Sequence, residues 1–133
     1  MKARHTILDQ VQAIPATDRE RVLCTAVVEA AGRLTLTSGD LGAIVGISQS
    51  SASRLQRGNF FLADGSKTWE MAALFVRLYR GLAAIVGNSD ELAHQWLTSP
   101  NRAFAEQRPL DVIKRVEGLV RACEYVDAHR ATA

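Results

Sequence analysis

LGAIVGISQSSASRLQRG, residues 41–58, reads as two short helices joined by a tight turn. Such a turn needs positive φ, which Gly46 adopts without steric cost. Two helices crossing steeply also need a small residue at the contact, and Gly42 is placed for that. Leu41, Val45, Ile47 and Leu55 then form a small core that locks the angle, with Ala52 pointing inward beside them. Ser48 is a good N-cap for the second helix. That helix turns Gln49, Ser50, Ser53, Arg54 and Arg57 outward, and Gly58 closes it. The outer face is polar, hydrogen-bonding and basic. In the major groove Gln suits adenine, Arg suits guanine or phosphate, and Ser suits either. Ser48, Gln49, Ser50, Ser53, Arg54 and Arg57 are therefore the candidate DNA contacts. The competing reading is an ordinary helix pair whose Ser-rich helix is merely solvated. Turn glycine, small residue, capped start and apolar spacing occurring together favour the helix-turn-helix.

Upstream, Thr17-Asp18-Arg19-Glu20 forms a capping box, and Val22, Leu23, Ala26, Val27 and Ala30 repeat at helical spacing as far as Gly32. Before it, residues 1–15 read as a lead-in with one weakly apolar face, Ile7, Leu8, Val11 and Ile14, ended by Pro15. Downstream, Asn59 to Ser66 is a connector that finishes in Asp-Gly-Ser turn chemistry. The boundary between two halves is expected there, with residues 1–64 as the DNA-binding half and 65–133 as a second helical half. The spacing then predicts a long helix from about Thr68 to Val86. Its apolar face is Met71, Leu74, Phe75, Leu78, Leu82, Ile85 and Val86, with Arg77 and Arg80 off the stripe. Gly87 and Asn88 end it, and Asn88 with Glu91 is expected to cap a helix carrying Leu92, Ala93, Trp96 and Leu97. Ser99-Pro100-Asn101 breaks that helix. Pro109 opens the last one, with Asp111 at its positive dipole end. Ile113, Val116, Val120 and Cys123 mark its expected buried side, with Val112, Leu119 and Val126 alongside. Gly118 inside it costs roughly 1 kcal/mol relative to Ala, which a close contact would justify. No strand-like alternation of useful length occurs, so the expected fold class is all-α.

Composition agrees. The 133 residues are 47% hydrophobic and 23% charged, which is globular and not disordered. Aromatics are few, so the core is aliphatic. The net charge of +2 is too small to argue nucleic-acid binding by itself. Cys24 and Cys123 sit in apolar helical patterns with no metal-ligand spacing, and read as buried reduced thiols suited to the cytoplasm. No apolar stretch is long enough to span a bilayer, and the basic N-terminus lacks the apolar run of a signal peptide. His5, His94 and His129 are scattered. No phosphate-binding glycine loop is present, and Ser50 to Ser53 has no nucleophile-elbow pattern. Glu29, Glu91, Asp111 and Glu117 read as surface or cap carboxylates. No catalytic cluster remains, so no enzyme, metal or cofactor is expected.

Residues 41–58 resemble the helix-turn-helix of the Xre repressors. That family usually has Val or Ile where this chain has Ala52, a loss of packing of roughly 1–2 kcal/mol unless compensated. The stretch DELAHQWLTSPNRAFAEQRPLDVIKRVEGLVRACEYV, residues 90–126, looks like the toxin-binding domain of the Xre/MbcA/ParS antitoxins. The likeness rests on Trp96-Leu97, Pro100-Asn101, Phe104, Pro109-Leu110-Asp111 and Glu117-Gly118. It departs at Ala105-Glu106, where glycine is common, so a stiffer linker is expected. The resemblance implies an antitoxin of a type II toxin-antitoxin system. Its partner would be a RES-domain toxin that degrades NAD, neutralised by covering the toxin's active site. It also implies autorepression at operator DNA, for which a homodimer is expected because one short recognition helix offers little contact area. Candidate toxin contacts are Arg77, Arg80, Trp96, Asn101, Tyr125 and Arg130. Arg77 and Arg80 read more simply as a solvated helix face, and the tail from Tyr125, with Arg130, either frays or, with equal weight, reaches toward the toxin's pocket. The alternative function is a stand-alone repressor whose C-terminal helices only dimerise.

Overall fold

The computed structural model describes residues 16–132, so the lead-in bearing Ile7, Leu8, Val11, Ile14 and Pro15 lies outside the described residues. Seven α-helices follow in order: α1 Asp18–Arg33, α2 Ser38–Val45, α3 Gln49–Gln56, α4 Lys67–Ile85, α5 Asp90–Thr98, α6 Pro109–Val112 and α7 Val116–Thr132. A single 3-10 turn, Arg102–Phe104, sits between α5 and α6. The described residues contain no strand, only an isolated bridge between Asn101 and Gln107. The all-α expectation holds.

Local chemistry starts these helices. In the capping box of α1 the Thr17 N–H donates to Glu20 Oε1 at 2.9 Å, and the Glu20 N–H donates to Thr17 Oγ1 at 3.1 Å. Thr37, Ser48, Ser66 and Ser89 cap α2 to α5, each hydroxyl accepting an N–H of the first turn. The cap of α5 is thus Ser89 and not Asn88. An N-cap needs extended backbone, and Asn88 is left-handed at φ 61. Asn88 instead closes α4 together with Gly87, its N–H bonded to the Ala83 carbonyl at 2.8 Å.

The turn between α2 and α3 is built as its glycines require. Gly46 is left-handed at φ 90, and its N–H bonds the Gly42 carbonyl at 2.8 Å. A Cβ on Gly42 would lie 2.7 Å from the Ile47 carbonyl oxygen, so only glycine lets the turn fold back so closely. Leu41, Val45, Ala52 and Leu55 are buried in the crossing, and Ile47 packs half-buried at its edge.

Helix α4 is the spine. It packs against α1 and α2 on one side and α7 on the other. Being embraced twice, it buries a different arc from the predicted one. Trp69, Ala72, Phe75, Val76, Leu78, Gly81 and Leu82 are buried, while Ile85 is 40% exposed and Met71, Leu74 and Val86 are only half-buried. Gly81 marks the close approach of α7, since a Cβ there would meet Val126 Cγ1 at 2.6 Å.

The predicted last helix is two. The chain turns at residues 113–115, between α6 and α7. That break resets the register, so Val116 is 58% and Val120 38% exposed while Leu119, Ala122, Cys123 and Val126 are buried. Gly118 has the close contact its position implied: a Cβ there would overlap the Val112 carbonyl oxygen. The apolar spacing also misplaced Val22 and Leu92, which face solvent.

Candidate DNA-binding and toxin-binding surfaces

On α3 the structure exposes Gln49, Ser50, Arg54 and Arg57 and half-buries Ser53. Ser48 is exposed at the N-cap, its Oγ accepting the Ser51 N–H at 3.1 Å with Ser50 Oγ 3.2 Å away. The helix carries no acidic residue, so the face keeps the positive charge of Arg54 and Arg57. Arg54 is held. Its Nη2 donates to Ser51 Oγ at 3.2 Å, and its guanidinium lies 5.4 Å from the centroid of the Phe60 ring. The inner side of α3 is tied to α2 by Ser38, whose hydroxyl donates to Gln56 Oε1 at 2.6 Å. Ala52 is fully buried in that crossing.

The second surface is aromatic. Trp96 of α5 stacks on Tyr125 of α7, with ring centroids 6.4 Å apart and planes 24° apart. Phe104 of the 3-10 turn meets both edge-on, 6.2 Å from Trp96 and 5.4 Å from Tyr125. His129 lies against Tyr125, with ring centroids 4.1 Å apart. Phe104 is buried, whereas Trp96 and Tyr125 are half-exposed, so the cluster shows an apolar flank to solvent. Asn101 shapes the adjoining turn, its Oδ1 accepting the Ala103 N–H at 2.9 Å. Arg121 covers Phe104 from outside, 5.2 Å from its centroid.

The other candidates are spread out. Arg77 is ion-paired to Asp127 and straps α4 to α7. Arg80 is exposed on α4, and Arg130 is exposed on α7, which stays helical through Thr132. The structure therefore brings together Trp96 and Tyr125 and places Asn101 on the turn that delivers Phe104. It does not gather the three arginines at that cluster. Sequence reasoning missed Phe60 and the partners Asp127 and His129. Phe60 falls outside any helical repeat. The 125/129 spacing was the one available sign of an aromatic pair on a helix face.

The surfaces are connected. The His94 Nδ1–H donates to the Leu34 carbonyl at 2.8 Å, which fixes its tautomer, because a carbonyl only accepts. Arg33 reaches Asp90 at 3.5 Å. Lys114, between α6 and α7, pairs with Asp40 of α2 at 2.9 Å. Burial pushes the Asp40 carboxyl up, but hydrogen bonds from Lys114 and Thr37 outweigh it and hold it below the usual aspartate range. Neither thiol is an activated nucleophile. Burial raises Cys24, and raises Cys123 to about 11, its S–H donating to the Leu74 carbonyl at 3.3 Å. Among the described residues no three His, Cys, Asp or Glu side chains group to hold a metal ion, and no helix is long and apolar enough to cross a membrane.

Comparison with known proteins bears on both surfaces. A family model described as an antitoxin Xre-like helix-turn-helix domain matches residues 13–77. A second, described as the antitoxin Xre/MbcA/ParS C-terminal toxin-binding domain, matches residues 82–131. Among solved structures, a chain of the crystal structure of the M. tuberculosis MbcT-MbcA toxin-antitoxin complex is similar, with a TM-score of 0.64 and 26% identity. The alignment covers 84% of this chain and 96% of that one. No curated protein matches significantly.

Proposed function

The chain belongs to the Xre/MbcA/ParS antitoxins, and from that premise we propose that it neutralises a RES-domain, NAD-degrading toxin and represses its own operon. The observation that carries this reading is the presence of two separately exposed recognition faces on one helical frame: the basic face of α3 and the aromatic flank of α5 and α7. Residues 1–64 present the first and residues 65–133 the second. The protein works in the cytoplasm by occupancy, not by catalysis. Docking of its C-terminal helices over the toxin's cleft excludes the toxin's substrate. Buried aromatic anchors dominate such interfaces, which points to Trp96 and Tyr125 as the core of the contact. Asn101 stands at its edge, while Arg77, Arg80 and Arg130, which lie apart from the cluster, supply outlying polar contacts. At the operator, Gln49 and Arg54 read bases while Ser48, Ser50, Ser53 and Arg57 contact the backbone or neighbouring edges. A homodimer supplies two such helices to a two-fold site.

Co-expression with the toxin encoded beside it tests this. Wild type and Arg54→Ala are expected to restore growth and cellular NAD equally. Trp96→Ala, checked for a native melting profile, is expected to fail. Arg54→Ala and Gln49→Ala are each expected to weaken operator binding by about 1–3 kcal/mol, read by fluorescence anisotropy. Absence of a stable complex with the toxin would instead establish the stand-alone repressor.

A further inference from the structure

Gly58 sets the course of the chain after the recognition helix. It is left-handed at φ 79, and a Cβ there would meet nothing, so the backbone conformation and not space requires glycine. The Gly58 N–H bonds the Leu55 carbonyl at 3.0 Å, and the Asn59 N–H bonds the Arg54 carbonyl at 2.8 Å. The chain is thereby wound back along α3 and delivers Phe60 to its flank. Phe60 is half-buried and packed against the core, with the Arg54 guanidinium over its ring. Arg54 lies at the edge of the polar face, on the side nearest Ser51, which also accepts its Nη2–H.

We propose that Phe60 is a positioning residue for sequence recognition: it is the shelf that holds Arg54 ready to read a base. This rests on the DNA-binding reading above. A guanidinium drawn over a ring by cation–π attraction is held by its charge and not through its N–H groups. The ring therefore restricts the side chain without using its donors, of which Ser51 takes up one Nη2–H. An arginine already restricted loses less freedom on binding, so both affinity and discrimination improve at the base it contacts. Arg57, exposed at the C-cap of α3, has no such ring against it and makes no ion pair among the described residues, which suits it to a phosphate.

The test uses the full chain and a randomised duplex DNA library. Sequences selected by the wild type define the preferred base at each position. Selection is repeated with Arg54→Ala, Phe60→Leu, Phe60→Met and Phe60→Tyr, each first checked by thermal melting. Phe60→Leu and Phe60→Met keep apolar bulk without the ring. Both are expected to lose base preference at the same position as Arg54→Ala, with affinity for the selected duplex roughly threefold to tenfold weaker. Phe60→Tyr, which keeps the ring, is expected to preserve preference and affinity. The proposal is overturned if the ringless variants keep the preference that Arg54→Ala loses, if they lose preference uniformly at all positions, or if Arg54→Ala loses none. If the wild type itself enriches no sequence, the DNA-binding reading falls first and this one with it.

Discussion

Ala105 and Glu106 stand in succession in the left-handed region, at φ 55 and 65, each with a Cβ that this region disfavours by about 1–2 kcal/mol. Only the resemblance to the antitoxin family marked the place, by leading one to expect glycine there. What the sequence could not display was that the backbone had kept the glycine geometry without the glycine. It did so because the flanking bonds leave little choice. The Glu106 N–H is bound to the Asn101 carbonyl at 2.9 Å and the Gln107 N–H to the Phe104 carbonyl at 3.0 Å. Ala105→Gly and Glu106→Gly should each raise stability by about 0.5–1 kcal/mol, the relief of strain exceeding the added freedom of the unfolded chain. Gly118→Ala should move the other way, by about 3 kcal/mol or more, because its Cβ collides first with the backbone carbonyl of Val112, which cannot swing aside as a side chain can. Urea unfolding midpoints of the three variants check both signs. Phe60 is the opposite case from Gly118. Its role depends on how Gly58 bends the chain, and no local pattern of apolar residues encodes that.

At the scale of elements, helix starts were legible and helix faces less so. Caps are local: Thr17 with Glu20, or Ser48 ahead of α3, settle their hydrogen bonds within four residues. Faces depend on what arrives from elsewhere. Helix α4 is covered from two directions, so Val76 and Gly81 go inside and Ile85 stays out. The break between α6 and α7 turned Val116 and Val120 outward for the same reason. The pairing of Asp40 on α2 with Lys114 beyond α6 was equally out of reach, being set by tertiary packing. It makes a prediction about pH. The folded carboxyl titrates below the usual aspartate range. The stability it contributes is therefore complete above the unfolded value and is lost as pH falls through the lower folded one. Asp40→Asn should cost about 1 kcal/mol or less near pH 7, since both side chains are partly in water. That difference from wild type should close in acid, measured by urea unfolding at several pH values.

At the scale of the whole molecule, two candidate faces could be read from two motifs, but the frame beneath them could not. The Asp-Gly-Ser connector reads as a seam. In three dimensions the helix that follows it packs on both α1 and α7, and His94, Asp90 and Lys114 bond back to Leu34, Arg33 and Asp40. A domain whose core is shared in this way unfolds as a unit. Far-ultraviolet and near-ultraviolet circular dichroism should give coincident thermal transitions, and a fragment of residues 1–64 should remain unfolded because it lacks the surface that covers α1. Two separated transitions, or a folded fragment, would contradict the shared frame.

That shared helix has a consequence for the life of the protein in a cell. A single cut by a protease within α4 would strip cover from both ends of the chain at once. Under the function proposed above, no stump would be left sitting on an operator, and none would keep a toxin silent. The proposed repression and immunity would then decay on one clock, set by whichever bond in the spine is severed first.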